Sequence, residues 1–205
     1  MTANEMITRV GVKLNDPDAD RFITSVRLEA LNAAQEDIAA RVNFELLKSL
    51  HRETGYTGIV GGNDLPSDYY QFINAYLTSA TTYTEVEKLS ADRKNQQSNS
   101  YLMASNSKPT CYIFGDKIYL LIADYTQDEK YFTLQYVKTL TTLVSDGNCD
   151  VDLRIHPYIV DLAEAFLRIE SRFYDAIDPA KRIDEVYKKI ELINTEIYGG
   201  KKWLC

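Results

Sequence analysis

Few residues in this chain are able to do chemistry. Histidine, the commonest general base and transition-metal ligand, occurs only as His51 and His156. Neither belongs to an H-E-x-x-H pair, in which two imidazoles one helical turn apart hold a zinc ion. His156 precedes Pro157 and reads as a cap residue; His51 reads as the end of a helix, where a cation favours the macrodipole. Cys111, Cys149 and Cys205 are odd in number and lack C-x-x-C spacing, so neither a disulfide framework nor a zinc site is indicated. Gly55, Gly58, Gly61 and Gly62 supply loop freedom but no G-K-S/T and no G-x-G-x-x-G, so no phosphate cradle is expected. From Asp146 to Asp152 oxygen donors alternate as at the start of an EF-hand loop. The sixth position, however, is Val151 where glycine is required, and the twelfth is Pro157 where glutamate is required. A polar turn is the expectation. Asp128-Glu129 and Asp184-Glu185 read as solvated acids, the latter pair supported by Lys188 and Lys189 at i,i+4, worth about 0.2–0.5 kcal/mol per pair. No catalytic residue, metal ligand or cofactor is assigned, and an enzyme is not expected.

Composition narrows the class further. The chain has 205 residues, 45% of them apolar and 26% charged, which permits a substantial core. Lysine and arginine total 23 against 30 aspartates and glutamates, a formal charge of -7. Such a balance disfavours a non-specific DNA binder, which relies on cations to replace phosphate counterions. The longest strongly apolar run, Tyr119 to Ala123, is far below the roughly 18 residues a membrane span needs, and the start is polar; no membrane partner and a cytoplasmic origin are expected. Tyrosine is in excess, 15 against 7 phenylalanines and 1 tryptophan; its apolar body and polar tip suit protein contacts.

The elements follow from periodicity. Thr2 to Glu5 fits a capping box, and Ile7, Val10 and Leu14 continue a helix that Asp16-Pro17-Asp18 stops. A second helix is predicted from about Asp18 to about Leu50, on the seam Leu28, Leu31, Ala34, Ile38, Val42 and Leu46, a rod of about 45–50 Å. Leu65 to Asp68 enters a segment, Tyr69 to Leu77, that suits a helical turn or two. Threonine, tyrosine and valine then favour strands: Glu85 to Leu89, Cys111 to Phe114 and Lys117 to Ile122 around a Gly115-Asp116 turn, and Tyr131 to Lys138. Ser90 to Lys108 is polar and reads as a loop. His156-Pro157 and Asp178-Pro179 open two more helices, with stripes Ile159 to Phe173 and Ile183 to Ile197. The fold class expected is mainly α with inserted β: an antiparallel helical bundle (1–75 and 151–198), a small antiparallel β lobe of three to five strands (76–150), and a C-terminal tail (199–205). In that tail Lys201, Lys202, Trp203, Leu204 and Cys205 follow a Gly-Gly stop. Two readings stay open: the tail is held by another chain, or Trp203 folds back on its own bundle.

A pattern spread from about Met6 to Tyr198 resembles the head–tail connector (adaptor) proteins of tailed bacteriophages. It comprises a short helix ending Leu14-Asn15-Asp16, a helix carrying Ala30 to Ile38, and Leu65-Pro66-Ser67-Asp68-Tyr69. A Leu134 to Lys138 strand, Leu143-Val144-Ser145-Asp146, and His156-Pro157 leading into an apolar helix complete it. The polar Ser90 to Lys108 stretch departs from it. The resemblance implies a structural virion protein at the neck: a homo-oligomeric ring, typically a dodecamer, seated under the portal protein. Such a ring joins a tail or nozzle protein and surrounds the channel through which DNA passes without specific binding. It also implies that residues 201–205 dock on the portal. The tyrosines in and around the β lobe, Tyr101, Tyr112, Tyr119, Tyr125, Tyr131 and Tyr136, then read as inter-subunit or tail contacts. The contrasting expectation is a soluble helical interaction module of a bacterium, binding a peptide or partner helix.

Overall fold

At the start of α1 (Ala3–Lys13) the capping box forms as its residues require: Thr2 Oγ1 accepts from Glu5 N, and Glu5 Oε2 accepts from Thr2 N. Two orphan donors are thereby satisfied, worth about 0.5–2 kcal/mol. The computed structural model describes residues 1–57, 62–78, 83–92, 104–105, 107–122, 131–171 and 178–197. The chain divides into two compact units, Met1–Leu50 with Leu140–Cys205, and His51–Thr139.

In the first unit α1 buries Met6, Ile7 and Val10, and α2 (Thr24–Ala39) buries Leu31, Ala34 and Ile38. The rod expected from Asp18 to Leu50 does not form. The α2 helix has 16 residues, about 24 Å of rise, and side chains interrupt the rod at both ends. Asp16 takes the backbone N–H groups of Asp20, Arg21 and Phe22 onto its carboxylate, which holds residues 17–22 as a loop with Ala19 at φ +60. At the other end Asn194 of α4 donates to Arg41 O at 2.9 Å and accepts from Asn43 N at 2.9 Å. A kinked 3₁₀ segment, Phe44–Leu50, then replaces the predicted helix. The third and fourth helices, α3 (His156–Glu170) and α4 (Pro179–Ile197), start where their prolines indicated. Packed on α1, α2 and α4, α3 buries Ile159, Leu162, Ala163 and Leu167, while α4 buries Val186 and Ile190.

The second unit holds eight strands among its described residues: β1 (His51–Tyr56), β2 (Asn63–Asp64), β3 (Tyr69–Thr78), β4 (Tyr83–Glu85), β5 (Glu87–Leu89), β6 (Thr110–Phe114), β7 (Lys117–Leu121) and β8 (Tyr131–Lys138). They form two four-stranded sheets, β1-β8-β3-β4 and β2-β7-β6-β5. All pairs are antiparallel except β5 with β6. Alternation sends Phe132, Leu134 and Tyr136 of the first sheet and Cys111, Ile118 and Leu120 of the second into one shared core with Ala75, Leu77 and Val86. Each large apolar side chain buried there contributes about 1.5–3 kcal/mol.

The architecture is therefore a mixed α/β fold with two sheets, and the expectation of a helical bundle with a small β lobe is corrected. The segment Tyr69 to Leu77, read as a helical turn or two, is the first nine residues of β3, the ten-residue strand between β8 and β4. Its apolar and aromatic residues satisfy either period over so short a run, and pairing with β8 decides for the strand.

Candidate interaction surfaces

The carboxylates from Asp146 to Asp152 are engaged by the chain itself. Asp146 accepts from Asn4 Nδ2 at 3.0 Å, and Asp150 from Thr141 N at 3.1 Å. Asp152 accepts from Arg154 N and Nε at 2.9 Å and from Nη2 at 3.1 Å. Those Arg154 hydrogen bonds hold its carboxyl below the usual range. The segment is the polar turn expected, its oxygens aimed at separate donors. Among the described residues no three His, Cys, Asp or Glu side chains group to hold a metal ion, and no helix is long and apolar enough to cross a membrane.

His156 is not the cap residue it was read as. Ile155 stands at the cap, and His156 begins α3 as a residue only 2% exposed. Its Nε2 bonds Val151 O at 3.0 Å and its Nδ1 meets the Met1 amino group at 2.9 Å. Burial lowers its pKa from 6.5, since a charged imidazole there is poorly solvated. His51 opens β1 directly after the 3₁₀ segment. Burial pushes the Cys111 thiol up to about 12 and the half-buried Cys149 up to about 11, which favours the protonated thiol over the nucleophilic thiolate.

The expected contact tyrosines separate into three groups. Tyr112 and Tyr119 are paired across β6 and β7, their rings stacked at 4.8 Å and 6°. Gly62, at φ +85, lies against Tyr119; a Cβ there would come within 2.6 Å of the ring. Burial, then the neighbouring Tyr119, raises the Tyr112 pKa. Tyr131 is the first residue of β8, and its side chain lies outside the described residues, as do Tyr101, Tyr125 and the whole tail Lys201, Lys202, Trp203, Leu204 and Cys205. Tyr136 is no surface residue: it is 4% exposed and its hydroxyl donates to Asp68 Oδ1 at 2.9 Å. Its alternation partners Phe132 and Leu134 carry it into the core.

Two surface features carry residues that the sequence reading does not single out. The first is the β6–β7 hairpin tip. Gly115 adopts φ +62 for the two-residue turn, Leu65 N donates to Asp116 O at 2.8 Å, and Lys117 pairs with Asp64. Phe114 on this braced tip is 62% exposed. The second is a shallow concavity of about 440 Å³ on the β1-β8-β3 face, lined by His51, Arg52, Glu53, Ile73 and Gln135. Glu53 Oε1 accepts from Gln135 Nε2 at 2.5 Å and from Tyr76 Oη at 3.3 Å. The turn signal Gly115-Asp116 located the tip, but only pairing register shows which residues share its flank.

No curated protein matches the chain. Over residues 1–188 the sequence matches the SU10 adaptor protein family, a family of phage head–tail adaptors, and the chain belongs to that family.

Proposed function

We propose that this phage adaptor protein assembles as a homo-oligomeric ring, a dodecamer, seated beneath the portal protein in the virion neck. In this reading the ring joins the portal to the tail or nozzle protein and surrounds the DNA exit channel. The observation that carries it is the family match across residues 1–188, which takes in the whole of the second compact unit and most of the first. The formal charge of -7 supports it as well: a weakly acidic wall repels phosphates, so DNA passes through without being held. Residues Lys201 to Cys205 dock on the portal, and Tyr112 and Tyr119, with Tyr101, Tyr125 and Tyr131, serve contacts between subunits or with the tail.

The test is assembly with a portal ring. Purified protein is mixed with portal particles and imaged by negative stain; a second ring stacked on the portal is expected. A protein that stays monomeric and never associates with the portal overturns the proposal. A strongly basic lumen in the assembled ring would overturn the account of DNA passage. Deleting residues 201–205 is expected to weaken portal docking while leaving the far-ultraviolet spectrum intact, and unchanged docking would dismiss the role of the tail.

A further inference from the structure

Two helix faces of the first unit match each other in spacing and in charge. On α4, Lys181, Lys188 and Leu192 stand seven and then four residues apart, intervals that keep them on one stripe, and all three are exposed. Leu192 is 62% exposed. On α2 and its cap residue, Glu29, Glu36 and Ala40 repeat the same intervals and are exposed as well. The two lysines are therefore about 10.5 Å apart along their helix, and the two glutamates about 10.5 Å apart along theirs. None of these four charges has an ionic partner among the described residues, whereas Arg41 and Arg182 nearby are already paired with Asp37 and Asp161. Laid side by side in parallel, the stripes set Lys181 on Glu29, Lys188 on Glu36 and Leu192 on Ala40, whose small side chain leaves room for it. Asp184, between the lysines, falls beside Asn32 rather than beside a glutamate.

We propose that α4 of one copy packs its Lys181–Lys188–Leu192 stripe on the Glu29–Glu36–Ala40 stripe of α2 in a second copy. The stripes are different patches of the chain, so the contact is heterologous, head to tail, the type that closes a ring by rotation. Helix direction selects the parallel register. Within one copy α2 and α4 run the same way. Near their first turns Arg27 clasps Asp16 and Arg182 shares Asp161 with Lys13, both at the end of α1. Towards their last turns Asn194 donates to Arg41 O. Rotation about an axis along these helices preserves that direction, so α4 meets the neighbouring α2 in parallel; a twofold axis across them would reverse it. This inference rests on the ring reading above and names the contact that builds it.

A photo-crosslinking residue in place of Leu192, in the full-length chain mixed with isotope-labelled copies, tests the contact directly. Crosslinked peptides are expected to join position 192 to residues 36–40 of another copy; capture at residues 25–29, the antiparallel register, overturns the contact. Sedimentation velocity supplies the energetic arm. Glu29→Lys combined with Glu36→Lys sets like charges against each other and should weaken self-association about tenfold. Adding Lys181→Glu and Lys188→Glu exchanges the signs across the contact and should restore the wild-type affinity. Both proteins should keep the wild-type circular dichroism and melting curve. A wild-type ring that survives the two glutamate reversals at unchanged affinity, or a loss that the sign exchange does not repair, overturns this contact and leaves the ring reading standing. A wild-type chain that never self-associates, with or without portal, overturns both.

Discussion

Arg168 of α3 offers the sharpest test of how the helical unit is held. Its side chain is 4% exposed and that of Glu164 is 3% exposed; Nε meets Glu164 Oε1 at 2.9 Å. Nη2 donates to Lys13 O at 2.8 Å, satisfying a carbonyl at the end of α1. Replacing Arg168 by methionine keeps the stem volume but leaves a buried carboxylate without its cation and a helix-terminal carbonyl without its donor. Stranding one partner of a buried pair costs about 3–5 kcal/mol, and the carbonyl adds to that without strict additivity. Domains of this kind are stable by about 5–15 kcal/mol, so the unit should lose a large part of its margin. With a urea m-value of about 2 kcal/mol/M, the midpoint of the helical transition should fall by about 1.5–2.5 M, followed by circular dichroism at 222 nm at fixed protein concentration. Adding Glu164→Leu to Arg168→Met removes the stranded charge, so the double variant should recover most of the loss. A single substitution costing under about 1 kcal/mol, or a double variant no better than the single, would refute the assignment of this pair as a buried unit.

Four further outcomes follow from particular side chains. Gly62→Ala places an L-residue at φ +85 with its Cβ against Tyr119; a cost of about 1–3 kcal/mol and a changed near-ultraviolet tyrosine signal are expected, and an unperturbed protein would contradict the stacking geometry. Stability should fall as pH drops below about 6.5, because burial lowers the folded His156 pKa, the unfolded chain then binds the proton first, and the loss continues down to the folded value. His156→Gln should flatten that slope in urea titrations between pH 7.5 and 5.5, whereas the Asp152 contribution, with its folded pKa lowered from 3.8, is lost only as pH falls below that value. Native Cys111 and Cys149, pushed up to about 12 and about 11 by burial, should react with a thiol reagent at pH 8 only on unfolding; rapid native labelling of either would oppose their placement. Tyr136→Phe should cost about 0.5–1.5 kcal/mol for the bond to Asp68, read from the thermal midpoint.

What could be read from the sequence was local. Thr2 with Glu5, Pro157, Pro179 and Gly115 each act within one turn, so the capping box, two helix starts and one hairpin were legible in advance. Distant partners made the failures. The Asp16 carboxylate and Arg27, which lies against Gly11 and donates to both Asp16 Oδ2 and Asp16 O, close the loop before α2. Nothing in the 3.6-residue period announces that clasp. Asn194 pins the break after α2 from about 150 residues away in sequence. Tyr69 to Thr78 needed β8 beside it to become a strand, and together with β1, β2 and β4 it turned an expected lobe into two four-stranded sheets. Glu164 and Arg168 stood at i,i+4 in the sequence, a spacing that ordinarily marks a solvated face; their burial comes with the packing of α3 among α1, α2 and α4. For the contact surfaces, tyrosine composition pointed to the β unit but not to the division between a buried Tyr136 and a partly exposed Tyr112–Tyr119 stack. Alternation along β8 and β6 makes that division once register is known.

The central claim, an adaptor ring between portal and tail, is tested most directly by cryo-electron microscopy of the protein bound to its portal. The account predicts a closed ring coaxial with the portal, one copy per portal subunit, with DNA-facing walls that are neutral to acidic. Single copies scattered on the portal surface, or no density for this chain at the portal's tail-side face, would contradict it.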